Sequence, residues 1–246
     1  MTYCVATMID SGIVFASDSR TNAGVDYIST FRKMRVFEVA GDRILVTLNS
    51  GNLAVTQATV NHLERAIKSN IEPNLLSVRS MYEVAELIGA ALREVRRRDS
   101  AFLKENHVDS SVNFIVGGQI AGEDQRLFLI YSEGNFIEAT PETRYFQVGE
   151  IKYGKPIIDR IIRADTSMND AIKSVLVSFD STMRSNLSVG MPIDMACYSR
   201  HSLQLAQIHR FDDQDNYMQR LHKSWGEGVR AAFAELPNFE YQSDLS

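Results

Sequence analysis

Thr2 follows the initiator Met1, and a threonine at a chain start can do chemistry that an internal one cannot. Its hydroxyl is a poor nucleophile at neutral pH, but a free α-amine on the same residue can take the hydroxyl proton. Such an amine titrates near ~7.7–8.0, much closer to neutrality than a lysine side chain. A lysine cation beside it would lower that value further, and a carboxylate would hold the lysine in place. Lys33 and Asp18 are the right types for these two parts. The small side chain of Thr2 favours removal of Met1 by methionine aminopeptidase, which would expose the amine.

The first element must bring these residues together. Residues 3–9 alternate and are rich in β-branched side chains, as a strand requires. Asp10-Ser11-Gly12 is a turn signal, and Ile13 to Ala16 is an apolar run suited to a strand buried on both faces. The resulting hairpin returns the chain start alongside residues 18–21. Within one residue of register, Thr2 falls opposite or diagonal to Asp18, Ser19, Arg20 and Thr21. Diagonal cross-strand neighbours are about 7–8 Å apart, within side-chain reach. On spacing alone, Asp18-Ser19-Arg20 reads as a polar strand end, because such triplets are common.

The remaining elements follow in blocks. Strands are expected at Arg35–Val39 and Arg43–Leu48, then helices at about Asn52–Ser69 and from Ser80, where Ser80 and Glu83 form a capping-box pattern. Arg96-Arg97-Arg98 is placed at the end of that second helix as a solvated terminus. Strands return at Val112–Gly117, Leu127–Tyr131, Phe136–Ala139 and near Tyr145–Val148. Two helices follow, opened by Pro156 and by Ser167 with Asp170. Strands at Ile193–Ser199 and Leu203–His209 precede a last helix from about Asp213 to Leu236, with Asp212, Asp213 and Asp215 as its acidic first turn. Segregated strand and helix blocks predict one α+β domain over residues 1–246, with antiparallel sheets covered by helix pairs.

Several chemistries are excluded. A net charge of -5 gives no footprint for nucleic acid. There is no G-x-S-x-G elbow, Walker loop, dinucleotide fingerprint, H-E-x-x-H pair or EF-hand, so no cofactor and no metal are expected. Cys4 and Cys197 lie in apolar strand-like runs and read as buried reduced thiols, which suits a cytoplasmic location. The start lacks the basic and apolar regions of a signal peptide, and no apolar run approaches a membrane span. No propeptide beyond Met1 is expected.

Thr2, Gly12, Ala16-Ser17-Asp18-Ser19-Arg20, Thr21-Asn22-Ala23-Gly24 and Lys33 together resemble the proteasome β-subunit family. That pattern is an N-terminal Thr, a Gly in the first turn, an A-x-D-S-R-x-x-x-G segment and a Lys one strand later. Ile28 to Met34 and Ser185-Asn186-Leu187-Ser188-Val189-Gly190 point to a bacterial proteasome-related branch of it. The resemblance implies a four-layer αββα sandwich of the N-terminal-nucleophile hydrolases, with a long C-terminal helix. It implies Thr2 as nucleophile and base, Lys33 as tuning group and Asp18 as its anchor. Ser188 would support the amine, Ser50 and Gly51 would supply the oxyanion hole, and Ser19, Arg20 and Ser185 would be supporting residues. Thr21, Phe31, Leu48 and Asn52 would shape the substrate pocket. Two positions depart from the pattern: Gly149-Glu150-Ile151 replaces Gly-Ser-Gly, and Ser185 stands where an aspartate is usual.

The function implied is a self-compartmentalising threonine peptidase or amidohydrolase acting on peptide or protein amides. The alternative is a barely active or non-catalytic scaffold of the same ring or spiral type. Either reading implies a homo-oligomer, a dodecamer or similar, with ATP-grasp and transglutaminase-like proteins as candidate partners. No ATP-binding motif is present, so any ATP dependence would come from another protein.

Overall fold

The computed structural model describes residues 2–22 and 28–239. The Ala23-Gly24 part of the motif and Met1, whose removal is expected, lie outside the described residues. The chain opens with β1 (Tyr3–Ile9), β2 (Gly12–Asp18), β3 (Arg20–Asn22), β4 (Ile28–Thr30), β5 (Met34–Val39) and β6 (Arg43–Gly51). Helices α1 (Leu53–Lys68) and α2 (Met81–Glu105) follow, then β7 (Val112–Ile120), β8 (Arg126–Ile130), β9 (Phe136–Glu138) and β10 (Tyr145–Gly149). Next come α3 (Lys155–Ile161), α4 (Met168–Ser185), β11 (Ile193–Ser199), β12 (Leu205–Phe211) and α5 (Asn216–Ala234). Contacts divide the chain into two compact units, residues 1–213 and residues 214–246, the second holding α5.

Two five-stranded antiparallel sheets form the first unit, in the orders β10-β1-β2-β11-β12 and β5-β6-β7-β8-β9. β2 lies between β1 and β11, with the second sheet on one face and α4 on the other, so it is buried along its whole length, which explains its apolar run. The sheets face one another: Cys4, Phe15 and Phe146 of one meet Val46, Leu48 and Ile115 of the other. The opposite face of the second sheet packs Leu45, Phe114 and Phe128 against Val55 and Leu63 of α1 and Ile88 and Leu92 of α2. α4 covers the first sheet, with the Phe179 ring 4.6 Å from that of Tyr3 and Ser178 bonded to the Tyr3 hydroxyl. α3 packs on α4, which completes the helix pair and the αββα order.

Some local expectations change. β3 and β4 are only three residues each, too short for any periodicity to reveal. α2 runs on to Glu105, so Arg96-Arg97-Arg98 lies inside the helix; Arg97 pairs with Glu94, Arg98 with Asp99, and Arg96 donates to the Ser132 carbonyl. Ser80 caps α2 as expected, but the Glu83 carboxylate accepts from the Arg79 N–H rather than from Ser80. Positive φ at His201 and Leu203 extends the turn after β11, so β12 starts two residues later than expected. Asp215 is the N-cap of α5, accepting from the Tyr217 and Met218 N–H groups, and the first turn carries no acidic residue. Among the described residues, no helix is long and apolar enough to cross a membrane.

Candidate active site

The hairpin register pairs Cys4 with Ser17, and two further steps set Thr2 level with Ser19. Asp18 is then beside the start of β1. Its Oδ1 accepts the Tyr3 N–H at 3.0 Å and the Lys33 ammonium at 2.7 Å. The ammonium also donates to the Arg20 carbonyl at 2.6 Å. The pair is buried, with side-chain exposures of 6% for Lys33 and 0% for Asp18. Burial pushes the Asp18 carboxyl above the usual carboxylate range, while Lys33 opposes that shift. Its second oxygen, Oδ2, has no partner among the described residues.

The backbone of Lys33 is fixed from the other sheet. The Asn49 N–H and side-chain Nδ2 both donate to the Lys33 carbonyl, at 3.2 and 2.9 Å. Cys4 Sγ donates to the Asn49 carbonyl at 3.4 Å, tying β1 to the end of β6. Ser50 and Gly51 follow Asn49 directly, so the segment expected to supply the oxyanion hole adjoins Lys33.

The far side of Thr2 is held by β10. The Glu150 N–H donates to the Thr2 carbonyl at 2.7 Å. Gly149 has φ +86, and a Cβ there would stand 1.9 Å from the Thr2 oxygen, so only glycine lets the two strands approach this closely. The Glu150 carboxylate turns inward and accepts from Asn186 Nδ2 at 2.9 Å, while Asn186 Oδ1 accepts the Ser188 N–H at 2.9 Å.

Residues 186–192 are strapped to the end of β2. Ser19 donates to the Pro192 carbonyl through both its N–H, at 2.9 Å, and its hydroxyl, at 2.5 Å. Arg20 donates to the Leu187 carbonyl at 2.9 Å. Arg210, paired with Asp194 at 2.5 Å, reaches the Ser19 hydroxyl at 3.3 Å. Ser188 therefore lies on a loop anchored beside the site, whereas Ser185 ends α4 with an exposed side chain.

The expected pocket residues separate. Phe31 lines a cleft of about 280 Å³ with Arg32, Arg35, Asn49, Leu53 and Thr56. Thr21 on β3 pairs with Ser29 on β4. Leu48 is fully buried between the sheets, and Asn52 caps α1 by accepting the Val55 N–H. A larger groove of about 460 Å³ between α1 and α2 contains none of the expected residues.

Asn49, Gly149 and Asn186 are the positions that sequence reasoning passed over as structural parts of the site. A polar side chain at the buried end of an apolar strand was the one available signal for Asn49. Nothing in the spacing links Asn186 to Thr2, because their proximity depends on the strap from β2.

The four-layer αββα sandwich, with Thr2 at the head of β1 beside the buried Lys33–Asp18 pair, places the chain in the N-terminal-nucleophile hydrolase fold class. The family described as "Proteasome subunit" matches residues 2–197, and the chain belongs to it. Over its full length the chain is similar to Anbu (ancestral beta-subunit) from Yersinia bercovieri, at 50% identity and a TM-score of 0.91, covering 98% of this chain and 100% of that one. It is also similar to the Anbu complex from Pseudomonas aeruginosa, a structure described as a helical assembly, at 47% identity, a TM-score of 0.93 and coverage of 98% and 100%. An Anbu (Gly-1) mutant from Hyphomicrobium sp. strain MC1 matches at 45% identity, a TM-score of 0.91 and the same coverage. No curated protein matches the chain.

Proposed function

We propose that the chain is a threonine amidohydrolase or peptidase of the proteasome type, with Thr2 as nucleophile once Met1 is removed. The observation that carries this reading is the shared use of Asp18 Oδ1, which holds the Lys33 ammonium and the Tyr3 N–H together beside Thr2. The α-amine of Thr2 takes the hydroxyl proton as Oγ attacks a substrate amide carbonyl. The amine then delivers that proton to the leaving nitrogen, and an acyl ester remains on Thr2. Water attacks the ester, again with the amine as base, and releases a carboxylic acid. Backbone N–H groups at Ser50 and Gly51 stabilise the oxyanion, and Ser188 supports the amine. Ser19 and Arg20 anchor the neighbouring loop.

The 280 Å³ cleft beside Phe31 is the substrate pocket in this reading. The protein works as a homo-oligomer in the cytoplasm. The helical assembly of a relative supports the first point, and two buried free thiols suit the second.

Two measurements test the activity. Intact-mass analysis of protein from its host is expected to show the chain beginning at Thr2; retained Met1 leaves no free threonine amine and sinks the catalytic reading. A threonine-directed epoxyketone is expected to label the parent and not Thr2→Ala. Equal labelling of the two would exclude Thr2 as nucleophile and favour the scaffold alternative.

A further inference from the structure

Glu150 has a buried side chain, 6% exposed, that the mechanism above leaves unused. β10 pairs with β1 so that Tyr3 faces Gly149. The bond from the Glu150 N–H to the Thr2 carbonyl carries this register one step further and sets Glu150 opposite Thr2. Directly opposed residues have Cβ atoms about 4.5–5.5 Å apart. Asn186 holds the carboxylate through a neutral amide at 2.9 Å. Lys152, the cation paired with it, is 4.0 Å away with a side chain 78% exposed, so solvent screens most of that attraction. A buried carboxylate held this way would be stabilised by a close cation, and removal of Met1 would create a cation on Thr2, the residue opposite Glu150.

We propose that Glu150 is a positioning residue that receives the α-ammonium of processed Thr2 and holds the proton on it. This inference rests on the reading of Thr2 as a processed chain start. Other charged groups stand on the elements that build the site. Asp18 ends β2 and Lys33 precedes β5. Arg20 on β3 directs its guanidinium to the Leu187 carbonyl, and Arg210 on β12 is paired with Asp194. Arg184, in the last turn of α4, is exposed. Lys33 and Glu150 thus act on one amine in opposite senses: the cation favours the neutral base, and the carboxylate favours the ammonium. Where the family pattern has a neutral serine, this chain has a group that holds the site in its protonated resting form. Rising pH, or displacement of the ammonium from Glu150 by substrate, lets the proton pass to solvent and leaves the amine as a base.

The test uses full-length protein released from an N-terminal fusion so that it begins at Thr2. The amine is titrated by pH-dependent acylation with acetic anhydride, read by mass spectrometry of the N-terminal peptide. Parent, Glu150→Gln and Glu150→Ala are compared, with folding checked by thermal melting, and either folded variant suffices. The midpoint is expected about one pH unit or more lower in the variants than in the parent. Equal midpoints overturn the proposal. The titration needs no turnover, so a parent that resists epoxyketone labelling yet shows the shift would count against the proposed activity and not against the role of Glu150.

Discussion

Lys33 Nζ lies 2.7 Å from Asp18 Oδ1 with both side chains almost wholly removed from solvent. Breaking such a pair on one side leaves an uncompensated buried charge, which costs about 3–5 kcal/mol. Lys33→Met is therefore expected to lower unfolding free energy by about 3 kcal/mol in urea melts. The double variant Asp18→Asn with Lys33→Met should recover much of that loss, because no charge is then buried. Epoxyketone labelling should fall about 10²–10⁴-fold in every one of these variants. Full recovery of labelling in the double variant would show that the pair serves stability alone.

The raised Asp18 carboxyl sets a pH dependence of defined sign. Burial moves it above its unfolded value, so the folded state takes up the proton first as pH falls. Its contribution to stability is therefore fully present below the unfolded value and is lost as pH rises through the folded one. Protonation also removes the counter-charge of Lys33, so labelling should decline on the acid side at a pH above the usual carboxylate range. The checks are urea melts and labelling rates for parent and Asp18→Asn between about pH 4 and pH 7. A parent-minus-variant stability that rises with pH in that window would contradict the assigned direction.

Gly149 provides a steric test of how Thr2 is held. Alanine there must adopt φ +86 and place its Cβ 1.9 Å from the Thr2 carbonyl oxygen. A conformation this unfavourable costs about 1–3 kcal/mol, and the relief available is a shift of Thr2 itself. Gly149→Ala is expected to lower Tm and to cut Thr2 labelling together. Gly228→Ala is the control: it lies in α5 with nothing within 4 Å of the added carbon, and it should stabilise the helix by about 0.5–1 kcal/mol without changing labelling.

The hairpin was legible because β1 and β2 carry strong local signals. The Asp10-Gly12 turn fixes their register, and Thr2 and Asp18 meet as a direct consequence. Lys33 joins them only through the chain's return after β4 and through Asn49 on the other sheet, neither of which leaves a periodic trace. Its assignment came from residue type and family pattern. Glu150 follows the end of a strand, where a charged residue ordinarily faces water, so its burial against Asn186 had no sequence signal. Arg96 to Arg98 read differently in the structure: three cations resemble a helix end, but α2 continues past them to Glu105, with Arg97 paired to Glu94 one turn back.

The two thiols report on the packing beneath the site. Cys4 is fully buried between the sheets and Cys197 is 3% exposed on β11. Burial pushes the Cys197 thiol up to about 11 and the Cys4 thiol higher still, so neither carries appreciable thiolate near neutrality. Iodoacetamide is expected to leave both unmodified in the native protein at about pH 8 and to modify both in urea. Because Cys4 donates to the Asn49 carbonyl, its exposure requires β1 to part from the end of β6, which also releases Lys33. Alkylation of Cys4 should therefore follow the same urea dependence as loss of Thr2 labelling. Modification of Cys4 at urea concentrations that leave labelling intact would show that β1 opens without disturbing the Lys33–Asp18 pair.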